Sequence, residues 1–406
     1  MTQRHRRVVL APDKFKGSLT APEVAAALAT GIAQVAPEAE IRQLPVADGG
    51  DGTVDIFVAA GWERIRVAAV GPTGAPTTAS YAVRDGTAVV ELAEVVGLVK
   101  LPGAQPDPMY AGTYGLGLVL RDALDRGYHE IVLGLGGSAS SDGGAGMLHA
   151  LGLRILDADD NELPWGAAPL RRAHRIDCSR LHPAVASTTF TLASDVDNPL
   201  LGPHGAAAVF APQKGADREQ CAEIEAALSH WAELVRAARP ATRGAAGDGA
   251  DTGRGRDRAG SGVTEPDGEI DFARRPGAGA AGGTGFGAMA VLGARPRPGI
   301  EVVLELIGFS DAVRGADLVV TGEGALDEQT LRGKAPAGVA AAARAEGVTV
   351  VAVAGRCALS PERLRVAGIA DCYPLTDLEP DPACSVADAA PLLSEIGARI
   401  AADHLR

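Results

Sequence analysis

Aromatic side chains are scarce in this chain, 4% of 406 residues against 46% hydrophobic, so its apolar surface comes mainly from Ala, Val, Leu and Ile. Cysteine is sparse too. The five (Cys178, Cys221, Cys357, Cys372, Cys384) are odd in number and form no C-x-x-C pair, which suits a reducing compartment. No apolar run reaches the ~18–20 residues that cross a bilayer. After Arg4, Arg6 and Arg7 only Val8-Val9-Leu10 precedes Asp13, too short for a signal-peptide core. A soluble, cytoplasmic protein without a membrane partner is expected. Positive charge is in deficit, 38 Lys and Arg against 51 Asp and Glu for a net −13, which argues against nucleic acid as a partner. Collagen is excluded because no G-X-Y period runs through the chain, and a coiled coil because Gly and Pro interrupt every helical stretch. There is no G-x-x-x-x-G-K-[ST], since Gly333-Lys334 is followed by Ala335, so the chain is not a P-loop enzyme. The eight histidines form no H-x-x-x-H and no pairing with Cys, and read as surface or packing residues. Ser138, Ser140 and Ser141 lack a G-x-S-x-G elbow and a His partner, which argues against nucleophilic hydrolysis.

What is abundant is glycine, 52 residues, in a chain long enough for two or three domains. Lysine is rationed: 33 of the 38 basic residues are Arg. Yet four of the five lysines stand in glycine-flanked loops, Lys14 and Lys16 in PDKFKGS, Lys214 in PQKGA and Lys334 in RGKAP; Lys100 is the exception. Lys offers a compact point charge with rotatable donors where Arg offers a flat fork, so its retention in these loops suggests contact with a small anion or phosphoryl group.

Short apolar strands alternate with amphipathic helices, the pattern of an α/β fold with parallel strands. Val8–Ala11 reads as a buried strand and Ile41–Leu44 as a second. Between them Thr20-Ala21-Pro22-Glu23 forms a capping box, and Val24, Leu28 and Ile32 recur every four residues. Asp317–Val320, Val348–Val353 and the stretch around Tyr373 repeat the strand pattern, with a helix from near Pro336. These two ends look like one kind of layer and are expected to combine into one discontinuous domain, 1–65 plus 295–406. The middle, 66–294, is expected to form a second α/β domain. There Val67–Val90 suggests strands and hairpins, a helix runs from about Thr113 to Arg126, and Ile131–Leu133 and Phe190–Ala193 read as strands. Within this domain 240–276 is dominated by Gly, Ala, Arg and Asp, too polar to offset ordering entropy, and reads as a disordered surface insertion.

The strongest local signal is Gly134-Leu135-Gly136-Gly137-Ser138-Ala139-Ser140-Ser141-Asp142-Gly143-Gly144, after a strand and before a helix. Glycines let a backbone approach a ligand, and N–H groups at a helix start attract anions. The same stretch satisfies G-x-G-x-x-A through Gly134, Gly136 and Ala139, with Asp157 where a ribose-binding acid would stand; an NAD-dependent dehydrogenase is therefore the alternative reading. Two further loops, Gly282–Gly287 and Thr321–Asp327, also fit a ligand cradle, the second carrying Glu323 and Asp327 beyond a strand end. Asp48 and Asp51 flank glycines after one strand, and Asp195 and Asp197 follow another. Carboxylates that hold Mg²⁺ or accept a proton, mixed with cations and backbone N–H groups, are what phosphoryl transfer needs.

Six segments extend the likeness over nearly the whole chain: 11–25 (APDKFKGSLTAPEVA), 45–53 (PVADGGDGT), 134–152, 194–216, 277–294 and 317–340. In order and wording they resemble the bacterial glycerate kinase family of the first type. Val96, the SASSD of 138–142 and the 240–276 insertion depart from its pattern. The resemblance implies phosphorylation of D-glycerate by ATP with Mg²⁺, in a cleft between a Rossmann-like domain made from both chain ends and a middle domain. It associates the product with 2-phosphoglycerate and leaves 3-phosphoglycerate open. On this reading Lys14, Lys16 and Ser18 receive the glycerate carboxylate or the transferred group. Asp48 or Asp195 serves as base or metal-linked acid, with Asp197, Asn198 and Lys214 close to the substrate. Gly136, Gly137, Ser138, Ser140, Ser141, Gly283, Thr284 and Gly285 cradle the nucleotide phosphates, and Glu323, Asp327 and Lys334 line the far wall. Monomer and homodimer are both compatible with it. A metabolite-sensing regulator is the third reading.

Overall fold

The computed structural model describes residues 5–238 and 270–405. The chain opens with strands β1 (Arg7–Pro12) and β2 (Glu40–Gln43). The middle supplies β3 (Glu63–Val70), β4 (Pro76–Arg84), β5 (Thr87–Glu91), β6 (Glu130–Gly134), β7 (Arg154–Leu156), β8 (Arg175–Asp177), β9 (Thr189–Ala193) and β10 (Arg295–Arg297). The tail adds β11 (Leu318–Leu326), β12 (Thr349–Cys357) and β13 (Asp371–Pro374). One sheet takes strands from both chain ends in the order β13-β12-β11-β1-β2, every neighbour parallel. A second, mixed sheet runs β10-β9-β6-β5-β4-β3, antiparallel through the β3-β4-β5 meander and parallel from β5 to β10; β7 and β8 form a small hairpin. The fold is mixed α/β, as the alternation of patterns implied.

Alternation within strands explains the layering. Successive strand residues face opposite sides, and both sides of the parallel sheet are covered, so its strands are apolar throughout. Val8, Leu10, Leu318 and Val320 pack under the helices Ala21–Val35 and Ala389–His404. Val9, Ala11, Val319 and Val350 face the other way, toward the helices Gly299–Leu306 and Ala335–Ala345. The first helix starts where the sequence says: Thr20 accepts from the Glu23 N–H and the Glu23 carboxylate accepts from the Thr20 N–H at 2.8 Å. Its Gly31 is needed for a close crossing, since a Cβ there would lie 1.7 Å from the Ser394 carbonyl oxygen.

Three expectations change. β11 does not stop at Val320; it continues through Gly322, Glu323 and Gly324 to Leu326, because β12 accompanies it to Cys357 after β1 has ended at Pro12. The expected glycine loop there is largely strand. β10 and the start of β3 (63–65) pair within the second sheet, so the sheets divide near 62/63 and 297/298 rather than at the expected 65/66 and 294/295. Of the expected insertion, 240–269 lies outside the described residues. Residues 270–276 are part of the fold: Ala273 is buried, its carbonyl accepts from the Leu200 N–H at 2.8 Å, and the Arg275 guanidinium covers the Phe272 ring.

Candidate active site

The strand order reverses between β1 and β11, and in open parallel sheets ligands bind beyond the carboxyl ends of strands at such a point. Asp13 follows β1 there, and Glu323 lies on the extended end of β11. The Asp13 N–H donates to the Gly322 carbonyl at 2.8 Å, which locks the two strand ends together. After β2 the chain runs on beside β1, with Leu44 N–H bonded to Leu10 O at 2.7 Å and Val46 N–H to Pro12 O at 2.9 Å. It then crosses to the second sheet through Asp48-Gly49-Gly50-Asp51-Gly52. Gly49 has a φ of 89°, and a Cβ on it would stand 2.6 Å from the carbonyl oxygen of Ala193, the last residue of β9. A Cβ on Gly136 would meet the Gly50 Cα at 2.4 Å. This loop is therefore the seam at which the carboxyl ends of both sheets meet.

Four acids gather along the seam. Asp13 is pushed up to about 7, first by burial and then by the charge of Asp48; Glu323 adds to the effect, while the Lys14 N–H, donating at 2.7 Å, opposes it. Asp195 is raised to about 6 by burial and by the charges of Asp48 and Glu301, against the Gly299 N–H that donates to it at 2.9 Å. Glu323 is raised by burial, opposed by the Thr330 hydroxyl it accepts from and by Lys334, whose ammonium is 3.9 Å away. Such crowding of carboxylates holds one or more of them protonated near neutrality unless cations arrive. Lys14 reaches across the seam to donate to the Asp51 carbonyl, and Lys16 is exposed beside it. A cavity of about 50 Å³ lies here, bounded by Asp13, Lys14, Val46 and Asp51. A groove of about 860 Å³ opens on the far side of Asp195.

Among the described residues no three His, Cys, Asp or Glu side chains converge into a closed metal cage. Asp195 and Asp48, close enough for the charge of Asp48 to raise Asp195, offer two carboxylates instead of a cage. That fits Mg²⁺, which keeps several waters and takes one or two carboxylates with phosphate oxygens.

The sequence-expected residues divide into two groups. Lys14, Asp48, Asp195, Glu323 and Lys334 come together around the seam, the Lys16 backbone lies against Gly324 with its side chain exposed, and Asp197 borders the groove. The others are placed differently. Ser138, Ser140 and Ser141 are interior, with 5%, 0% and 2% of their surface exposed, so they are not presented to a nucleotide. Lys214 is interior as well: its ammonium donates to Ser138 Oγ at 3.0 Å and to the Ser140 carbonyl, and burial lowers it to about 7 despite the favourable charge of Asp142. Gly283, Thr284 and Gly285 are buried, Gly283 so close to Gly143 that a Cβ would lie 2.9 Å from its Cα. The two glycine loops thus serve mutual close packing around a buried lysine, and the expected phosphate cradle is closed in this conformation. Gly136 and Gly137 remain at the seam, Gly137 against the Asp51 carboxylate. Ser18 donates to the Val386 carbonyl at 2.7 Å and so ties its loop to the chain's tail, while Asn198 donates to the His204 carbonyl at 2.8 Å and Asp327 accepts from the Gln329 N–H at 2.8 Å, each within its own loop.

Sequence reasoning passed over Asp13, Glu91 and the structural part of Asp142. Asp13 carried a signal, an acid immediately after a buried strand. Glu91, at the end of β5, accepts from the N–H groups of Gly52 at 2.9 Å and Val54 at 3.0 Å, and so ties the seam loop to the second sheet. Asp142 is fully buried and accepts from the N–H groups of Thr113, Gly144 and Gly146. Nothing in their sequence neighbourhoods marks these last two.

Comparison with known proteins points the same way. The family model described as "Glycerate kinase family" matches residues 8–405. "Glycerate kinase" of Halalkalibacterium halodurans is 41% identical over 351 residues, covering 86% of this chain and 85% of that one. "Glycerate 2-kinase" of Escherichia coli is 38% identical over 352 residues, with 86% and 85% covered. A crystal structure from Salmonella typhimurium LT2, assigned as glycerate kinase 2, superimposes with a TM-score of 0.79 at 35% identity over 98% of both chains.

Proposed function

The chain belongs to the glycerate kinase family and is a phosphotransferase, and from that premise we propose that it transfers the γ-phosphoryl group of ATP to the 2-hydroxyl of D-glycerate. The observation that supports this most is the convergence of Lys14, Lys16, Asp13, Asp48, Asp195 and Glu323 where the carboxyl ends of two sheets meet. The two lobes are 5–62 with 298–405, and 63–238 with 270–297, the cleft lying between them.

Glycerate sits at the small cavity beside Lys14, its carboxylate toward Lys14 and Lys16 and its hydroxyls toward the acids. Asp13, placed between Asp48 and Glu323 at the end of β1, takes the proton of the attacking hydroxyl as its oxygen bonds to the γ-phosphorus and the bond to the β-phosphate oxygen breaks, releasing ADP. Asp48 and Asp195 are the residues to hold Mg²⁺, which supplies charge neutralisation on the phosphates when bound. The lysines offset locally a net charge of −13 that repels both anionic substrates.

The dehydrogenase alternative is disfavoured by the backbone. A Cβ on Gly134 would lie 2.5 Å from the Gly49 carbonyl oxygen, so this fingerprint glycine is covered by the seam loop. Asp157 accepts from the N–H groups of Asp159 and Asn161 in an exposed turn of its own. The test is incubation with D-glycerate and Mg-ATP followed by phosphorus NMR: 2-phosphoglycerate and ADP support the proposal. 3-Phosphoglycerate overturns its regiochemistry, and no organic phosphate overturns the substrate.

A further inference from the structure

The glycine loops do not offer the nucleotide a cradle, yet a phosphoryl donor must reach the seam. The groove of about 860 Å³ falls within the ~300–1,000 Å³ usual for small-molecule sites. It runs along the helix Gly299–Leu306, about 12 Å at 1.5 Å per residue. At that helix's first residue the Gly299 N–H donates to Asp195, which feels the charge of Asp48, so the groove opens directly onto the acid cluster. Its opposite wall is the helix Ala335–Ala345, capped by Lys334, which pairs with Glu323 in the same cluster. Both walls therefore begin at the reaction centre and lead away from it.

We propose that this groove seats the nucleoside of the phosphoryl donor, a purine base and its ribose, with the phosphates directed to Lys14 and Lys334. The inference rests on the kinase reading above. Ile300, Leu304, Ala337 and Ala341 give it an apolar floor where the two helices meet, Ile300 packed against Gly338, a surface suited to one face of a planar base. Its charged groups are Asp195, Asp197, Glu301 and Glu305, with Arg297 held by Glu305 at 2.6 Å. Such a lining repels a triphosphate and accepts hydrogen bonds from ribose hydroxyls and a base amine. Glycerate, an anion too small for the groove, is excluded on the same two grounds.

The test is Ala341→Trp. Ala341 lies on the exposed side of its helix and borders the groove, so an indole there fills the space without entering the core. Steady-state kinetics are measured with ATP and D-glycerate, together with equilibrium titration of a fluorescent N-methylanthraniloyl ADP in the presence of Mg²⁺. The expected result is an ATP KM and a fluorescent-nucleotide Kd raised at least tenfold, with the glycerate KM changed less than twofold and the melting temperature unaltered. Glu301→Ala is the second variant, expected to reduce the preference for ATP over 2′-deoxy-ATP. An unchanged ATP KM in an active Trp variant overturns the proposal, and so does a raised glycerate KM with nucleotide affinity intact. Nucleotide binding that Ala341→Trp abolishes, in a wild-type protein that does not phosphorylate glycerate, supports the groove and overturns only the substrate reading.

Discussion

Replacing Glu91 probes the tie between the seam loop and the second sheet. Its carboxylate is 5% exposed and accepts two backbone N–H groups from the start of the helix Thr53–Ala59. Truncation to alanine leaves both donors without a partner, each worth about 1–3 kcal/mol when buried, so Glu91→Ala is expected to lose ~2–6 kcal/mol. The pH dependence is more telling. Burial raises this carboxyl from 4.5 to about 7, more than the two N–H groups lower it. Between those values the folded protein binds the proton more tightly than the unfolded chain. The group's contribution is thus full below pH 4.5 and falls as pH rises to about 7, by ~3 kcal/mol in all. Glu91→Gln cannot titrate; its amide nitrogen faces one donor, a fixed loss of about 1–2 kcal/mol. Urea denaturation of wild type and Glu91→Gln from pH 5 to pH 8 is expected to show the wild type losing its advantage as pH rises, the two midpoints converging or crossing. Parallel midpoints across that range would refute burial as the dominant influence on Glu91.

Lys16 is exposed, so Lys16→Ala is expected to shift stability by less than about 0.5 kcal/mol while lowering kcat/KM for glycerate by roughly a hundredfold or more; steady-state assay with a thermal melt checks both. Gly49→Ala is expected to cost several kcal/mol, about 1–3 for the left-handed backbone and a similar amount for the collision with Ala193; a melting temperature within a degree of wild type contradicts the seam. Activity is expected to fall as ionic strength rises from 0.05 to 0.5 M, because lysines attract anions against an acidic background and salt shortens that attraction to a few Å; a salt-independent KM for glycerate contradicts the lysine cluster.

Much of the scaffold was legible because burial writes itself into periodicity. Val8–Ala11 is apolar at every position since both faces of its sheet are covered, and Thr20 with Glu23 announces a helix start through two reciprocal hydrogen bonds. Lysines kept among arginines drew attention to Lys14 and Lys334, whose ammonium groups bond to Asp51 and pair with Glu323, respectively. Lys214 shows the limit of that signal. Its glycine-flanked loop reads as an anion contact, while its ammonium is buried under Ser138 and Ser140, whose hydroxyl-rich sequence reads as a phosphate cradle. Gly322 and Gly324 look like a loop and are strand, because a parallel neighbour on one side suffices to extend β11. Glu91 was invisible because its partners are backbone groups 37 and 39 residues away.

The turnover of Asp13→Asn bears most directly on the claim that the seam is the reaction centre. Asparagine keeps the oxygen that accepts the Lys14 N–H and relieves the crowding of charge with Asp48. The variant is expected to melt at or above the wild-type temperature while kcat falls by about 10²–10⁴, the usual worth of a general base. A kcat within threefold of wild type would place the chemistry elsewhere.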